Sequence, residues 1–217
     1  LRDVYKRQEG YGPNELAFKN AYDEGISLII TVDNGIQGHH EISTIQELGV
    51  DVIVTDHHEI GETLPDAFAI VHPMHPNFEY PFKYLCGAGV AYKLAQGLIE
   101  HPPQHFIALA AIGTIADLVS LTDENRYIVK QGLKILNNHT PSSIKAILNQ
   151  AGFNDEITEE TIGFIIGPRL NAVGRLEDAS LAAELLLSDE FEEAEFLAEQ
   201  VEHFNHERLS LIHISDG

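Results

Sequence analysis

The sequence predicts an α/β domain built on a parallel sheet, because short β-branched apolar runs alternate with a segment of helical periodicity. A strand over 26–33, a helix over 38–49 and a second strand over 50–56 follow one another along the chain. This order is a βαβ unit, which makes the two strands parallel and packs the helix on the sheet. A third strand is expected over 67–71, and beyond it the pattern is mostly helical.

Each element follows from its residues. The first strand, ISLIITVD, is β-branched and apolar and ends in Asp-Asn-Gly, a turn sequence. The helix GHHEISTIQELG has Ile42, Ile45 and Leu48 at helical spacing and ends at a glycine. The segment His72–Tyr84, which contains Pro73, Pro76 and Pro81, is the one long irregular connection. Later helices are expected over 87–100, 104–118, 123–137, 142–151 and 178–208, the last with a break near Ser188–Asp189.

Composition limits the classes of protein to consider. The formal net charge of −21 argues against a broad basic footprint on nucleic acid, although a local basic groove is compatible with it. No apolar run reaches the length of a membrane span, and no signal peptide pattern is present, so no membrane attachment is expected. The single cysteine, Cys86, excludes a disulfide scaffold and fits a cytoplasmic location. We interpret it as a small buried side chain.

The two ends of the chain show an unusual relationship. The peptide DVYKRQ (3–8) can be encoded by GATGTGTATAAGAGACAG, and the reverse complement of that DNA encodes LSLIHI (209–214). The DNA resembles the inverted end of a transposon-based sequencing library. We therefore expect 1–8 and 209–217 to be translated adapter, and we exclude them from reasoning about the fold.

Polar side chains gather where the predicted strands end. Asp33 ends the first strand, and Asp56 ends the second and is followed directly by His57 and His58. Ligands of parallel α/β sheets collect at the carboxyl ends of the strands, and the βαβ crossover brings both ends to one edge. The alternative for each group is a polar turn, since Asp-Asn-Gly is good turn chemistry and histidines are often exposed in loops.

Asp117 is the only ionisable residue in IALAAIGTIADLVSL (107–121). A buried, isolated carboxylate is costly unless it is paired or binds a metal ion, whereas a helix cap or an exposed position explains it without a site. With Asp33 and the Asp56–His58 triplet it gives carboxylate and imidazole ligands, which suit Mn²⁺ or Mg²⁺ better than a thiolate-bound zinc.

Two glycine-containing segments are further candidates. In GPRLNAVGR (167–175) Gly167-Pro168 predicts a turn, and Arg169 and Arg175, which flank Asn171 and Gly174, are suited to capture phosphate. The alternative is that the arginines tie two acidic helices together, and the sequence does not decide between these interpretations. LCGAGVAYKLA leads into a helix whose N-terminus could attract an anion, but its glycines equally permit close packing. We interpret His39, His40, His72 and His75 as surface or loop residues.

In this order, TVDNGI, VTDHHE, CGAGVAYKLA, IGTIADLVSL and GPRLNAVGRL resemble the DHH phosphoesterases. More narrowly they resemble the RecJ-type single-strand-specific 5′→3′ exonucleases of Gram-positive bacteria. The resemblance covers nearly all of 9–208, and the GPRLNAVGR segment favours the RecJ branch. It implies a parallel-sheet DHH domain followed by helices that lead to a second domain.

The resemblance also implies roles for individual residues. Asp33, His57 and Asp117 would bind two Mn²⁺ or Mg²⁺ ions, with Asp56 and His58 as ligands or close support. His58 would in addition contact the scissile phosphate. The phosphates of single-stranded DNA would be held by Arg169, Asn171 and Arg175. The implied partners are single-stranded DNA, a single-strand-binding protein and a helicase, and we expect a monomer.

The family's pattern extends beyond this sequence at both ends. Its first motif, an Asp-x-Asp-Gly, is expected before residue 9, and a smaller second domain and an OB-type module are expected after 208. We therefore expect 9–150 to be a DHH catalytic domain without its first strand and motif. Residues 151–208 would then hold the phosphate-binding segment and the start of the interdomain helix. Such a fragment should be inactive or very weak alone.

Three functions are compatible with these observations. The first is a metal-dependent 5′→3′ exonuclease on single-stranded DNA that acts in repair and recombination. The second is a DHH phosphodiesterase of short oligonucleotides or cyclic dinucleotides, or a pyrophosphatase. The third is a non-catalytic DHH module that binds nucleic acid or protein, for which a broken set of ligands would be expected.

Overall fold

The computed structural model describes residues 12–176 and 180–215, with side chains for 12–174 and 180–210. Three strands, β1 (Leu28–Val32), β2 (Asp51–Thr55) and β3 (Ala69–Val71), form a parallel sheet in this order. The described helices are α1 (Glu15–Asp23), α2 (His39–Glu47), α3 (Gly87–Leu98), α4 (His105–Ala116), α5 (Asp123–Asn138), α6 (Ser142–Gln150), α7 (Glu159–Thr161), α8 (Gly167–Leu176), α9 (Ser180–Leu187) and α10 (Phe191–Ser215). The predicted α/β class is confirmed.

The sheet is parallel because α2 returns the chain to the amino end of the next strand. Leu28 of β1 pairs with Asp51 of β2, and the register continues to Val32 opposite Thr55. Ile42 and Ile45, predicted to lie on one helix face, are both buried against the sheet. The other face of β1 is partly exposed in the described residues, with Leu28, Ile30 and Val32 each about half accessible.

Most of the core belongs to the helices. The larger of the two hydrophobic clusters is built from α3 to α10, and α4 packs closely along α5. The smaller cluster joins the sheet to α1 and α2. Cys86 is buried as predicted, and its thiol also caps α3 by accepting a hydrogen bond from the Gly89 amide. Burial raises the pKa of this thiol.

Gly167-Pro168 does not form the predicted turn. A π-helical turn (Ile162–Ile166) leads directly into α8, and both residues lie in the first turn of that helix. The Gly167 amide donates to the Ile162 carbonyl, so the chain is already helical when it reaches Pro168, which has no amide hydrogen to donate. The prediction was wrong because the helical segment before this pair continues through it.

The ends of the chain lie partly outside the described residues. The first expected adapter segment, 1–8, is among the residues that are not described, and α10 continues to Ser215, inside the second segment. The predicted break near Ser188–Asp189 separates α9 from α10 and is confirmed. No helix in the described part of the chain combines the length and apolarity needed to cross a membrane.

Candidate metal centre

The parallel register carries Asp33 and Asp56 to the same edge of the sheet. Each directly follows its strand, and each continues the ladder by one hydrogen bond. The Asp33 amide donates to the Thr55 carbonyl at 3.0 Å, and the Asp56 amide donates to the Val71 carbonyl at 3.3 Å. The carboxyl ends of β1, β2 and β3 therefore meet at one place, where a parallel sheet binds its ligands.

Asp56 is the buried anchor of the turn that follows β2. Its side chain is 1% exposed, and its Oδ2 accepts from the Ile36 amide at 3.0 Å. Its Oδ1 accepts from the amides of His57 and His58, at 2.8 and 3.2 Å, and from the His58 ring at 2.7 Å. Burial raises the pKa of this carboxyl, but the hydrogen bonds together outweigh burial and lower it. Asp56 is thus held as a carboxylate with both oxygens bound to protein donors.

The contact with Asp56 fixes the ring of His58. Because a carboxylate oxygen can only accept, Nδ1 of His58 carries a proton, and in the neutral ring Nε2 then keeps its lone pair. A carboxylate behind one ring nitrogen is the usual way in which proteins orient a metal-binding histidine. Asp33, His57 and His58 each offer a ligand atom, and these atoms lie within 4.8 Å of one another.

His57 lies between two carboxylates. Its Nε2 is 3.0 Å from Asp33 Oδ1 and 3.6 Å from Asp117 Oδ2. The contact with Asp33 raises the pKa of His57 and exceeds the opposing effect of burial, and Asp117 adds to the increase. Nε2 is buried, yet neither contact has the geometry of a hydrogen bond. A divalent cation between these oxygens and nitrogens would satisfy them, so the residues fit Mn²⁺ or Mg²⁺.

Of the two interpretations of Asp117, a buried carboxylate or a helix cap, the structure shows the cap. Its side chain is 42% exposed because α4 ends at Ala116, and Asp117 is the C-cap. The next residue, Leu118, turns the chain away with φ of +58° and is 89% exposed. Partial burial still raises the pKa of Asp117, and Asp33 adds to the increase while His57 opposes it. The cap position therefore places the carboxylate at the surface of the cluster.

The first turn of α3 packs directly on Asp33. A Cβ atom added to Gly87 would overlap the Asp33 carboxylate. Asp33 itself has φ of +63°, in the left-handed region that non-glycine residues rarely adopt. Its position is thus fixed both by its own backbone and by the absence of a side chain at residue 87.

Gly87→Ala is expected to weaken Mn²⁺ binding by about tenfold or more, because the new methyl group must displace the Asp33 carboxylate. Gly97→Ala in the same helix is the matched control, since a Cβ there meets nothing within 4 Å. The control should leave Mn²⁺ affinity unchanged and stabilise α3 by up to about 1 kcal/mol. The test is a titration of each purified variant with Mn²⁺ in which the concentration of free ion is measured. Equal affinity in Gly87→Ala and Gly97→Ala would contradict it.

His72 was interpreted as a surface or loop histidine, and the structure corrects this. It does lie in a loop, but it is 7% exposed, and its Nε2 is 2.9 Å from the His58 carbonyl oxygen. Burial is the main cause of its lowered pKa. The missed signal was position: His72 directly follows β3, as Asp33 and Asp56 follow their strands. By contrast His40 is exposed and pairs with Glu15.

The arginine segment is not brought into the cluster by any described contact. Arg169 donates from Nε and Nη2 to the two oxygens of Glu202 on α10, at 2.5 and 3.1 Å, and from Nη1 to the Ile165 carbonyl. Both members of this pair are mostly buried. The sequence left two interpretations open, phosphate capture and a link between two helices. The described contacts of Arg169 are those of a link between helices. Asn171 is exposed on α8, and the side chain of Arg175 lies outside the described residues.

Comparison with known proteins agrees with this arrangement. The chain is 52% identical over 206 residues to the single-stranded-DNA-specific exonuclease RecJ of Bacillus subtilis strain 168, covering 94% of this chain and 26% of that protein. A crystal structure of exonuclease RecJ bound to manganese matches with a TM-score of 0.80 and 35% identity, covering 94% of this chain and 53% of that one. RecJ from Thermus thermophilus in complex with Mn²⁺ matches with a TM-score of 0.76 and 34% identity, covering 89% and 30%.

These alignments also show how much of each relative the chain covers. The chain spans about a quarter of the length of its Bacillus subtilis relative and about half of the first manganese-bound structure. Residues 1–118 match the N-terminal domain of the DHH family. Because that match covers more than half of the 217 residues, and includes Asp33, Asp56, His57, His58 and Asp117, the chain belongs to the DHH family.

Proposed function

We propose that the chain forms part of the catalytic core of a metal-dependent exonuclease that hydrolyses single-stranded DNA from its 5′ end. The observation that carries the proposal is the meeting of Asp33, His57 and His58 within 4.8 Å at the carboxyl edge of the sheet. The similarity to proteins named as single-stranded-DNA-specific exonucleases supports the substrate, and the manganese-bound neighbours support the metal.

In this proposal Asp33, His57 and Asp117 would hold divalent cations, two in number by family resemblance. When bound, such cations activate water and stabilise the negative charge that develops at phosphorus. Asp56 keeps the His58 ring in the tautomer that presents Nε2 to the site. His58 is therefore placed either to complete the ligand set or to contact the scissile phosphate, as the resemblance implies.

Phosphate binding by Arg169, Asn171 and Arg175 is part of the same proposal. Arg169 already binds two carboxylate oxygens of Glu202 in a fork geometry. The guanidinium would bind two phosphate oxygens in the same way. A DNA phosphate would then have to replace Glu202, so this role requires a movement of Arg169 or of α10. We further propose a cytoplasmic monomer that works with a single-strand-binding protein and a helicase.

The test uses the chain itself and a chimera in which this chain replaces the segment that it matches in the Bacillus subtilis relative. Both are incubated with Mn²⁺ or Mg²⁺ and with 5′-labelled single-stranded DNA, duplex DNA, cyclic dinucleotide or pyrophosphate. We expect the chimera to release the label from single-stranded DNA as a mononucleotide in the first cleavage, and a chelator to stop the reaction. The chain alone should show little turnover.

The other outcomes separate the alternatives. Turnover of cyclic dinucleotide or pyrophosphate without attack on long single strands would favour the phosphodiesterase or pyrophosphatase. A labelled ladder that shortens from the far end would show the opposite polarity. Binding of DNA without hydrolysis in either metal would favour the non-catalytic module.

A further inference from the structure

We infer that His72 is a positioning residue of the metal-binding turn, which we define as Asp56, His57 and His58. Its imidazole holds the carbonyl end of that turn and so fixes the directions in which the His57 and His58 rings point. The role of the turn in metal binding rests on the proposed function. The contact itself does not.

The hydrogen-bond partners of His72 allow only one form of its ring. The Met74 amide donates to Nδ1 at 3.1 Å, so Nδ1 carries no proton. Nε2 lies 2.9 Å from the His58 carbonyl oxygen, which can only accept, so Nε2 carries the proton and donates it. At 7% exposure water has little access to either bond. The neutral ring thus links the turn to the loop after β3 by one hydrogen bond at each nitrogen. We call its bond to the His58 carbonyl the brace.

The brace complements the anchor already described. Asp56 binds the His57 and His58 amides and the His58 ring, which are all donors of the turn. None of these bonds involves the carbonyl of His58. His72 binds that carbonyl from the neighbouring strand end. Asp56 and His72 together restrain the turn from both sides, so the loss of His72 should loosen the turn without removing any metal ligand.

Two substitutions separate the two ends of the ring. The terminal amide nitrogen of glutamine lies as many bonds from Cβ as Nε2 of histidine, so His72→Gln can still donate to the His58 carbonyl. The side-chain oxygen of asparagine matches Nδ1 instead, so His72→Asn keeps the bond from the Met74 amide and loses the brace. If His72 only stabilises its own loop, His72→Asn should disturb the protein less than His72→Gln does.

His75 supplies a matched control. It stands in the same local sequence, His-Pro-x, and its Nδ1 accepts from the Asn77 amide at 3.2 Å, as His72 accepts from Met74. Among the described contacts, its ring packs on Phe78 rather than on the turn. His75→Asn should therefore change the loop without changing the turn.

The first measurement needs no metal. Amide hydrogen exchange of His57 and His58 is followed by NMR in the metal-free 217-residue chain. We expect His72→Asn to speed exchange at both amides by about tenfold or more, while His72→Gln and His75→Asn stay within about twofold of the wild type. Unchanged exchange in His72→Asn would overturn the brace. A global loss of protection would be visible at core amides and would also count against a local role.

The second measurement titrates the same proteins with Mn²⁺. Loss of an outer partner of a metal site costs about tenfold to a hundredfold in affinity. We expect that loss in His72→Asn and its recovery in His72→Gln. Faster exchange with unchanged Mn²⁺ affinity would overturn the link to the metal. A wild-type chain that binds no Mn²⁺ would instead count against the proposed function, and the exchange result would still decide whether His72 holds the turn.

Discussion

Asp56→Ala is expected to lower the free energy of unfolding by about 3–5 kcal/mol and to abolish Mn²⁺ binding. The carboxylate is 1% exposed and accepts from three amides and from one ring. Its removal leaves these donors facing an apolar methyl group in a site that water reaches poorly. Asp56→Asn should also be costly, because its NH₂ group would face donors that now bind an oxygen.

Urea unfolding of the metal-free chain measures this loss as a lower midpoint at unchanged slope. Asp51→Ala is the control, since Asp51 begins the same strand and is exposed. It should change the free energy of unfolding by no more than about 0.5 kcal/mol. An Asp56→Ala chain that unfolds at the wild-type urea concentration would show that the described hydrogen bonds do not support the turn.

Asp117→Ala is expected to have the opposite profile, with almost no loss of stability and an almost complete loss of hydrolysis. Its side chain is 42% exposed at the end of α4, so the free energy of unfolding should change by less than about 1 kcal/mol. The carboxylate faces His57 and, in our proposal, holds the catalytic cation. A metal contributes several kcal/mol to such a transition state, so hydrolysis should fall by about 10³-fold or more.

The measurement is the rate of single-strand degradation by the chimera at saturating Mn²⁺, together with its thermal unfolding. Asp155→Ala removes another exposed carboxylate, from a different part of the surface, and should leave the rate unchanged. Turnover at the wild-type rate in Asp117→Ala would refute its assignment as a ligand. Loss of folding in the same variant would show instead that the cap is structural.

Strand order and strand ends could be predicted from the sequence because they depend on local patterns. Runs of β-branched residues define β1 and β2, and the handed βαβ connection then brings Asp33 and Asp56 to one edge. Asp117 could be identified as unusual but not placed. The position of the last helical residue decides whether such a carboxylate is buried or capping, and helix ends are uncertain by one or two residues.

The remaining features depend on contacts between distant residues. His72 binds the turn 14 residues before it, and its own segment indicates that contact only by placing His72 directly after β3. Arg169 binds Glu202, which is 33 residues further along the chain. A guanidinium suits a carboxylate and a phosphate equally well, so composition could not choose between these two partners. The packing of α10 against α8 places Glu202 beside Arg169 and so decides the partner.

The left-handed backbone at Asp33 and Leu118 has a consequence for any attempt to make this domain more heat-resistant. A left-handed conformation costs most residues about 1–2 kcal/mol, whereas glycine, asparagine and aspartate tolerate it better. Leu118 is 89% exposed, so Leu118→Gly or Leu118→Asn should raise the free energy of unfolding by about 0.5–1 kcal/mol, measured by urea unfolding, with Leu121→Asn as a partly exposed comparison.

Glycine would also suit the left-handed backbone at Asp33, where φ is +63°, although aspartate tolerates that conformation better than leucine does. There, however, glycine would remove a carboxylate of the cluster along with the strain. A screen that selects only for stability at high temperature would accept glycine at both positions. The selected protein would be more stable but would lack the Asp33 carboxylate. Directed evolution of this domain therefore has to select for metal binding in every round.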